Sequence, residues 1–279
     1  MKRVALITIV HGRHDHLLRQ REALERAADA PGLHVIVAMD DPAVGALPQL
    51  NRPGVQVVEV ARTPTDEGLP LARARNVGAA AAMAHGAGVL VFLDVDCLPA
   101  PGALEGYLAA ATAPETRGRL LCGPVTYLPP APPEGYDLDR LIELDHPHPA
   151  RPAPAEGEVE LGGPHELFWS LSFAVDTPTW CRIGGFSERY SGYGGEDTDF
   201  AFTARMCGIE LAWIGSARAY HQHHAVEKPP VSHLDDILRN AAVFHERWGS
   251  WPMTGWLEEF ERMGLVRHLP SPDRWVRTA

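Results

Sequence analysis

At 279 residues the chain can bury a sizeable core, as one large domain or two small ones. A composition of 45% hydrophobic and 22% charged residues is that of an ordinary globular protein, and no run of eighteen apolar residues reads as a membrane-spanning helix. The net charge of −11 argues against non-specific binding to nucleic acid or to an anionic membrane, so a phosphate-bearing ligand needs a metal or local positive charge.

Val4–Val10 reads as a first strand. Met1-Lys2-Arg3 before it superficially resembles a secretory leader, but the apolar run is short and no small-residue cleavage site follows. Asp15–Ala28, with Leu17, Leu18, Ala23, Leu24 and Ala27 near helical spacing, predicts a helix. Leu33–Met39 and Val55–Val60 predict strands, and alanine-rich Leu69–His85 a helix. Val89–Pro99 predicts the central strand, with Pro101 opening the helix over Ala103–Thr112. This alternation indicates an α/β fold with a mostly parallel sheet. Leu120–Leu128 predicts one further strand. Pro129–Gly163 is a proline-rich surface excursion around a weakly helical Leu138–Leu144. Phe168–Val175 predicts a strand and Thr177–Ile183 a short helix. Tyr190–Gly195 reads as a flexible glycine–tyrosine loop, followed by a helix over Glu196–Cys207. Glu210–Ile214 and Arg218–Tyr220 predict short strands, Leu234–Trp248 an amphipathic helix, and the last thirty residues a packing tail. The four cysteines form no C-x-x-C pair, which disfavours a zinc knuckle and fits reduced thiols in the cytoplasm.

The central strand ends in Asp94-Val95-Asp96. If the chain stays extended, both carboxylates face one point, and they repel unless a proton or cation lies between them. A hard divalent cation, Mn2+ or Mg2+, suits such oxygens and commonly carries substrate phosphates as further ligands. Alternatively the pair is one helix cap and one solvated acid. His221-Gln222-His223-His224 follows a strand, and His221 and His223 share a side if the chain stays extended; a surface patch is the other reading. Glu196-Asp197-Thr198-Asp199 opens a helix, where free N–H groups can orient a carboxylate base or simply accept a charged cap. Arg73 and Asn76 share a helix face that can hold phosphates or face solvent, with Arg75 between them, and Asp40 and Asp41 end the second strand. The turn Val10-His11-Gly12-Arg13-His14 lacks the G-x-G-x-x-G of a dinucleotide site.

Taken together, Leu71-Ala72-Arg73-Ala74-Arg75-Asn76-Val77-Gly78, Phe92-Leu93-Asp94-Val95-Asp96, Gly184-Gly185-Phe186-Ser187-Glu188 and Gly192-Tyr193-Gly194-Gly195-Glu196-Asp197-Thr198-Asp199 resemble a GT-A-fold glycosyltransferase of the family 2 type, with features of the β-1,4-galactosyltransferase branch. The resemblance covers roughly residues 3–128 and 165–224. It implies one continuous GT-A (Rossmann-like) domain: a mostly parallel sheet flanked by helices, with a small antiparallel acceptor-side extension. Residues 1–128 would bind a nucleotide-sugar donor. Residues 129–224 would form the acceptor and catalytic half, and 225–279 a helical packing tail. It also implies metal held by Asp96, Asp94 and His221, with His223 as a further candidate. Donor contacts would come from Val10, Arg13, Asp40, Arg73, Asn76 and Asp94, the general base from Asp197, and acceptor binding from Glu196. A UDP-sugar is expected before a GDP-sugar, with inversion, and a small or glycan acceptor.

Two departures bear on specificity. Asp40-Asp41-Pro42 lacks the usual small residue after the acidic pair, and Tyr193 stands where the branch has tryptophan. The membrane-associated helix pair of polysaccharide synthases is missing, which points to a soluble enzyme, with homo-oligomerisation open. The other readings are a nucleotidyltransferase, which would want a glycine-rich basic loop after the first strand, and a non-catalytic nucleotide-sugar-binding protein of the same fold.

Overall fold

A computed structural model describes residues 3–28 and 30–278, so Met1 and Lys2 of the leader-like start lie outside the described residues. β1 (Arg3–Val10), α1 (His14–Arg26), β2 (Leu33–Met39), β3 (Val55–Val60), α2 (Leu71–Ala84) and β4 (Ala87–Leu93) follow the expected alternation. β1, β2 and β4 are apolar nearly throughout because helices or loops cover both sheet faces. α2 lies close on the sheet: a Cβ at Gly78 would come within 2.5 Å of Ile7 Cγ2 and 3.0 Å of Val37 Cγ2.

The next elements are β5 (Cys97–Pro99), α3 (Ala103–Thr112), β6 (Leu120–Cys122), β7 (Val125–Tyr127), β8 (Val159–Leu161), β9 (Ser172–Asp176), α4 (Thr177–Ile183), α5 (Glu196–Met206), β10 (Leu211–Ile214) and β11 (Ala219–His221). The main sheet has the order β3-β2-β1-β4-β9-β6-β10-β8. β1 to β4 run parallel, while β9 and edge strand β8 run against the rest. The connections from β1 lead to β2 on one side, and β4 lies on the other. In open α/β sheets the crevice at the carboxyl ends of such strands is where ligands bind.

Several expectations need correction. The central strand stops at Leu93. The Cys97 N–H donates to the Asp94 carbonyl at 2.8 Å, so Asp94–Cys97 is a turn and the two aspartates diverge. Pro101 precedes the helix: Gly102, at φ 81°, is its N-cap. Leu120–Leu128 is two strands in two sheets, broken at Gly123-Pro124, where proline has no N–H to donate. The extension is a mixed three-stranded sheet, β5-β11-β7, antiparallel only between β5 and β11. The proline-rich excursion is partly packed, with Tyr136, Leu138 and Leu141 buried beside Leu98 and Tyr220.

The C-terminal segment is not wholly helical. α6 (Leu234–Trp248) and α7 (Thr254–Arg262) are followed by a hairpin, β12 (Val266–Pro270) and β13 (Asp273–Arg277). Leu234, Ile237, Ala241, Leu257, Phe260 and Val266 bury a small core of their own. α6 also ties down the glycine–tyrosine loop expected to be flexible. Asp236 Oδ2 accepts from the Tyr193 N–H at 3.0 Å, and Asn240 Nδ2 donates to the Tyr193 and Gly194 carbonyls. Gly192, at φ 73°, sits so close to the Asp236 carboxylate that any Cβ would collide with it. Among the described residues no helix is long and apolar enough to cross a membrane.

Candidate active site

A buried polar network sets the turn after β4. Gln20, wholly buried on α1, accepts from Thr8 Oγ1 and donates to the carbonyls of Asp94 at 2.9 Å and Cys97 at 2.8 Å. The Asp94 N–H donates to the Leu171 carbonyl. The turn therefore presents its two carboxylates in different directions.

Asp96 faces the start of α1 and the end of β11. Its Oδ2 accepts from Arg13 Nη1, while His16 Nε2 lies 3.9 Å from Oδ1 and His224 Nε2 3.8 Å from Oδ2. Asp96 is 8% exposed, and its Oδ1 is buried with no hydrogen-bond partner. One ligand atom each from Asp96, His221 and His224 lies within 4.8 Å of the others. Burial holds the His221 imidazole down at a pKa of about 4, so at neutral pH it has a free nitrogen lone pair. One buried oxygen and two imidazoles are a donor set suited to a divalent transition metal, and the orphaned oxygen fits such an ion.

Asp94 and His223 lie outside that group. β11 ends at His221, and Gln222 turns inward to donate to the His16 carbonyl. His223 is then exposed, its N–H donating to Tyr136 Oη, and the chain brings His224 round instead.

Asp94 faces the acidic start of α5. Arg75, buried and packed over the Phe186 ring at 5.2 Å, donates to Asp94 Oδ1 at 3.3 Å and to Glu196 Oε1 at 3.1 Å. Glu196 is 5% exposed, and its Oε2 has no partner. Burial, then the adjacent Asp197, pushes the Glu196 carboxyl up to about 7, against the pull of Arg75. Asp197 is partly exposed and accepts from the Thr198 N–H at 2.8 Å; burial raises its pKa too. Asp199 is saturated instead. Tyr190 Oη, Trp248 Nε1 and both contacts of Arg247 Nη1 satisfy its buried carboxylate.

The remaining expected residues divide. Arg13 meets the site directly, from a left-handed position at φ 50°. Val10 is fully buried beneath the turn, packed with Leu17, Ile36, Ala38 and Val95. Asp40 pairs with Arg62 at 2.8 Å, whereas its neighbour Asp41 accepts from the Gly12 N–H and contacts His14, which fixes the turn after β1. Arg73 holds the 61–66 segment through the Ala61 carbonyl and Asp66, and Asn76 bonds both ways to the Phe186 backbone. The sequence gives no role to Gln20 or His16, groups Arg75 with Arg73 and Asn76 on a basic helix face that could hold phosphates, and leaves open which histidine of 221–224 meets the metal, with His221 first. Gln20 had a usable signal, a polar residue in phase with the buried face Leu17, Ala23 and Leu24. Arg75 had another, a charge on a face otherwise lined by alanines.

The large, mostly parallel sheet with its flanking helices matches solved glycosyltransferase structures, and the chain has the GT-A fold. Residues 159–225 match the family model described as the N-terminal domain of galactosyltransferase. The chain is similar to validoxylamine A glucosyltransferase of Streptomyces hygroscopicus subsp. jinggangensis (strain 5008), 30% identical over 197 residues, which cover 64% of this chain and 45% of that protein. The protein of the same name from subsp. limoneus is 27% identical over 197 residues, covering 64% and 42%. The chain thus spans less than half the length of these relatives. Among solved structures, GalNAc-T7 with UDP, GalNAc and Mn2+ aligns with a TM-score of 0.57 at 14% identity, over 94% of this chain and 57% of that one. S. aureus TarS 1–349 aligns with a TM-score of 0.57 at 13% identity, over 95% and 78%.

Proposed function

We propose that the chain is a metal-dependent, inverting glycosyltransferase that moves a sugar from a nucleotide-sugar donor, UDP-linked before GDP-linked, to a hydroxyl of a small or glycan acceptor. The observation that carries this is the pairing of two carboxylate centres at the carboxyl end of β4: Asp96 among histidines, and Glu196–Asp197 at the start of α5. The names of the relatives, and the UDP and Mn2+ of the GalNAc-T7 structure, point the same way. On this reading residues 1–128 supply most donor contacts and 129–224 the acceptor side. The four free cysteines accord with a reducing cytoplasm.

Asp96, His221 and His224 would hold Mn2+ or Mg2+, which when bound supplies Lewis-acid charge opposite the leaving diphosphate. Arg13, beside Asp96, would meet a phosphate, and Asp94, beside Arg75, the donor sugar or ribose. Glu196 Oε2, buried with no partner, accepts from an acceptor hydroxyl. Asp197, oriented by the Thr198 N–H, takes the proton of the attacking hydroxyl. Attack on the face away from the diphosphate inverts the anomeric carbon.

The test is thermal unfolding with UDP, with and without Mn2+. A ligand at a hundredfold excess over its Kd stabilises by about 2.7 kcal/mol. A rise in Tm that needs both UDP and metal and vanishes in Asp96→Ala is the expected result. No rise with any nucleoside diphosphate in folded protein would overturn the reading.

A further inference from the structure

The residues given chemical roles above end at His224, and the family match ends at residue 225. One face of α6, in the segment that follows, runs along both sides of the acidic helix start. Asp236, Asn240, Phe244 and Arg247 recur at the spacing that puts them on one stripe of the helix.

On the approach to α5, Asp236 Oδ2 accepts from the Tyr193 N–H at 3.0 Å and Asn240 Oδ1 from the Ser191 N–H at 3.4 Å. Asn240 Nδ2 donates to the carbonyls of Tyr193 at 3.2 Å and Gly194 at 2.9 Å. Beyond Asp197, Arg247 Nη1 donates to both oxygens of Asp199, and Trp248 Nε1 donates to Oδ1 at 2.8 Å. Phe244, between these two sets of contacts, meets the edge of Phe202 with centroids 5.3 Å apart. Glu196 and Asp197 are thus the short stretch of chain between two anchors on a single helix.

That stretch does little to order itself. Gly192, Gly194 and Gly195 stand at positive φ, so the approach has much backbone freedom to lose on folding. Gly195 is the N-cap of α5, which therefore has no side-chain cap. Asn240, wholly buried, joins three peptide groups of this approach at once. A reacting group misplaced by about 1 Å can cost about 10²-fold in rate.

We propose that α6 positions the acidic helix start, and that Asn240 is a positioning residue that acts on turnover through Asp197. The proposal rests on the glycosyltransferase reading and gives the C-terminal segment a part in the reaction.

The experiment follows metal-dependent hydrolysis of UDP-glucose by the full chain, with Mn2+ and with water as the acceptor. The glucosyl group passes to water, UDP leaves, and the proton of the water goes to Asp197. Asn240→Ala should lower kcat about tenfold to a hundredfold and change the KM for UDP-glucose less than about twofold, with the Tm rise given by UDP and Mn2+ retained. In an Asp197→Asn background the same substitution should change kcat less than about twofold, because the group it positions is gone. Asn240→Asp, which keeps the volume but loses the two N–H donors, should be as slow as Asn240→Ala. Asp236→Ala should lower kcat about threefold at unchanged KM, and it carries the test if the Asn240 variants do not fold. Equal effects in the two backgrounds, a loss confined to KM, or unchanged kcat in folded variants would overturn the proposal. So would failure to hydrolyse either UDP-glucose or UDP-galactose in protein that binds UDP with metal. Absence of metal-dependent UDP binding would overturn the underlying reading instead.

Discussion

Asp96 and Asp199 are both buried carboxylates, and the two regions treat them oppositely. Asp199, in the first turn of α5, meets a tyrosine, a tryptophan and an arginine, and every donor around it is matched. Asp96, after β4, has one oxygen against Arg13 and the other without a partner, while His16, His221 and His224 gather near it. A saturated buried carboxylate is part of the scaffold. An unsaturated one costs folding free energy, and that cost is recovered when a ligand binds. Glu196, one turn before Asp199, is of the second kind, with one oxygen on Arg75 and one open.

The sharpest test of this contrast exchanges activity for stability within one helix turn. Asp197→Asn should lower turnover by about 10²–10⁴-fold with little change in Tm, measured by initial rates and thermal unfolding. Asp199→Ala should do the reverse first, costing about 3–5 kcal/mol in urea unfolding, because Arg247 is left partly buried and unpaired. At the other carboxylate, His224→Ala should abolish the metal-dependent Tm rise with UDP, and His223→Ala should leave it in place. Equal loss in both would mean that the exposed His223 reaches the ion.

The smallest effect is on pH dependence. Glu196 is raised from 4.5 to about 7, so between those values the folded protein binds more protons than the unfolded chain. Stability therefore falls as pH rises through that window. Glu196→Gln should flatten this slope in urea titrations at pH 5 and pH 7.5; an unchanged slope would place the titration elsewhere.

Much of the scaffold was legible. The strands Leu33–Met39 and Val55–Val60 and the helices Ala103–Thr112, Thr177–Ile183 and Leu234–Trp248 have the boundaries the sequence pattern predicts. Periodicity and breakers act over a few residues, and those signals are local. The site was legible in its parts and not in its pairings. Asp94, Asp96, Glu196, Asp197 and His221 lie in the two polar clusters after β4 and at the start of α5, but the extended geometry assumed for Asp94–Asp96 and His221–His223 does not hold.

Sequence alone determined the alternating α/β scaffold and the acidic motifs at the carboxyl end of its central strand, because apolar period and turn residues are written in neighbouring positions. Only the tertiary structure decided which carboxylate faces which partner. Gln20 from α1 fixes the turn that separates Asp94 from Asp96, Arg75 from α2 joins Asp94 to Glu196, and the inward turn of Gln222 puts His224 in place of His223. Each of these contacts joins residues far apart in the chain, and side-chain hydrogen bonds over such separations leave no period in the sequence to read.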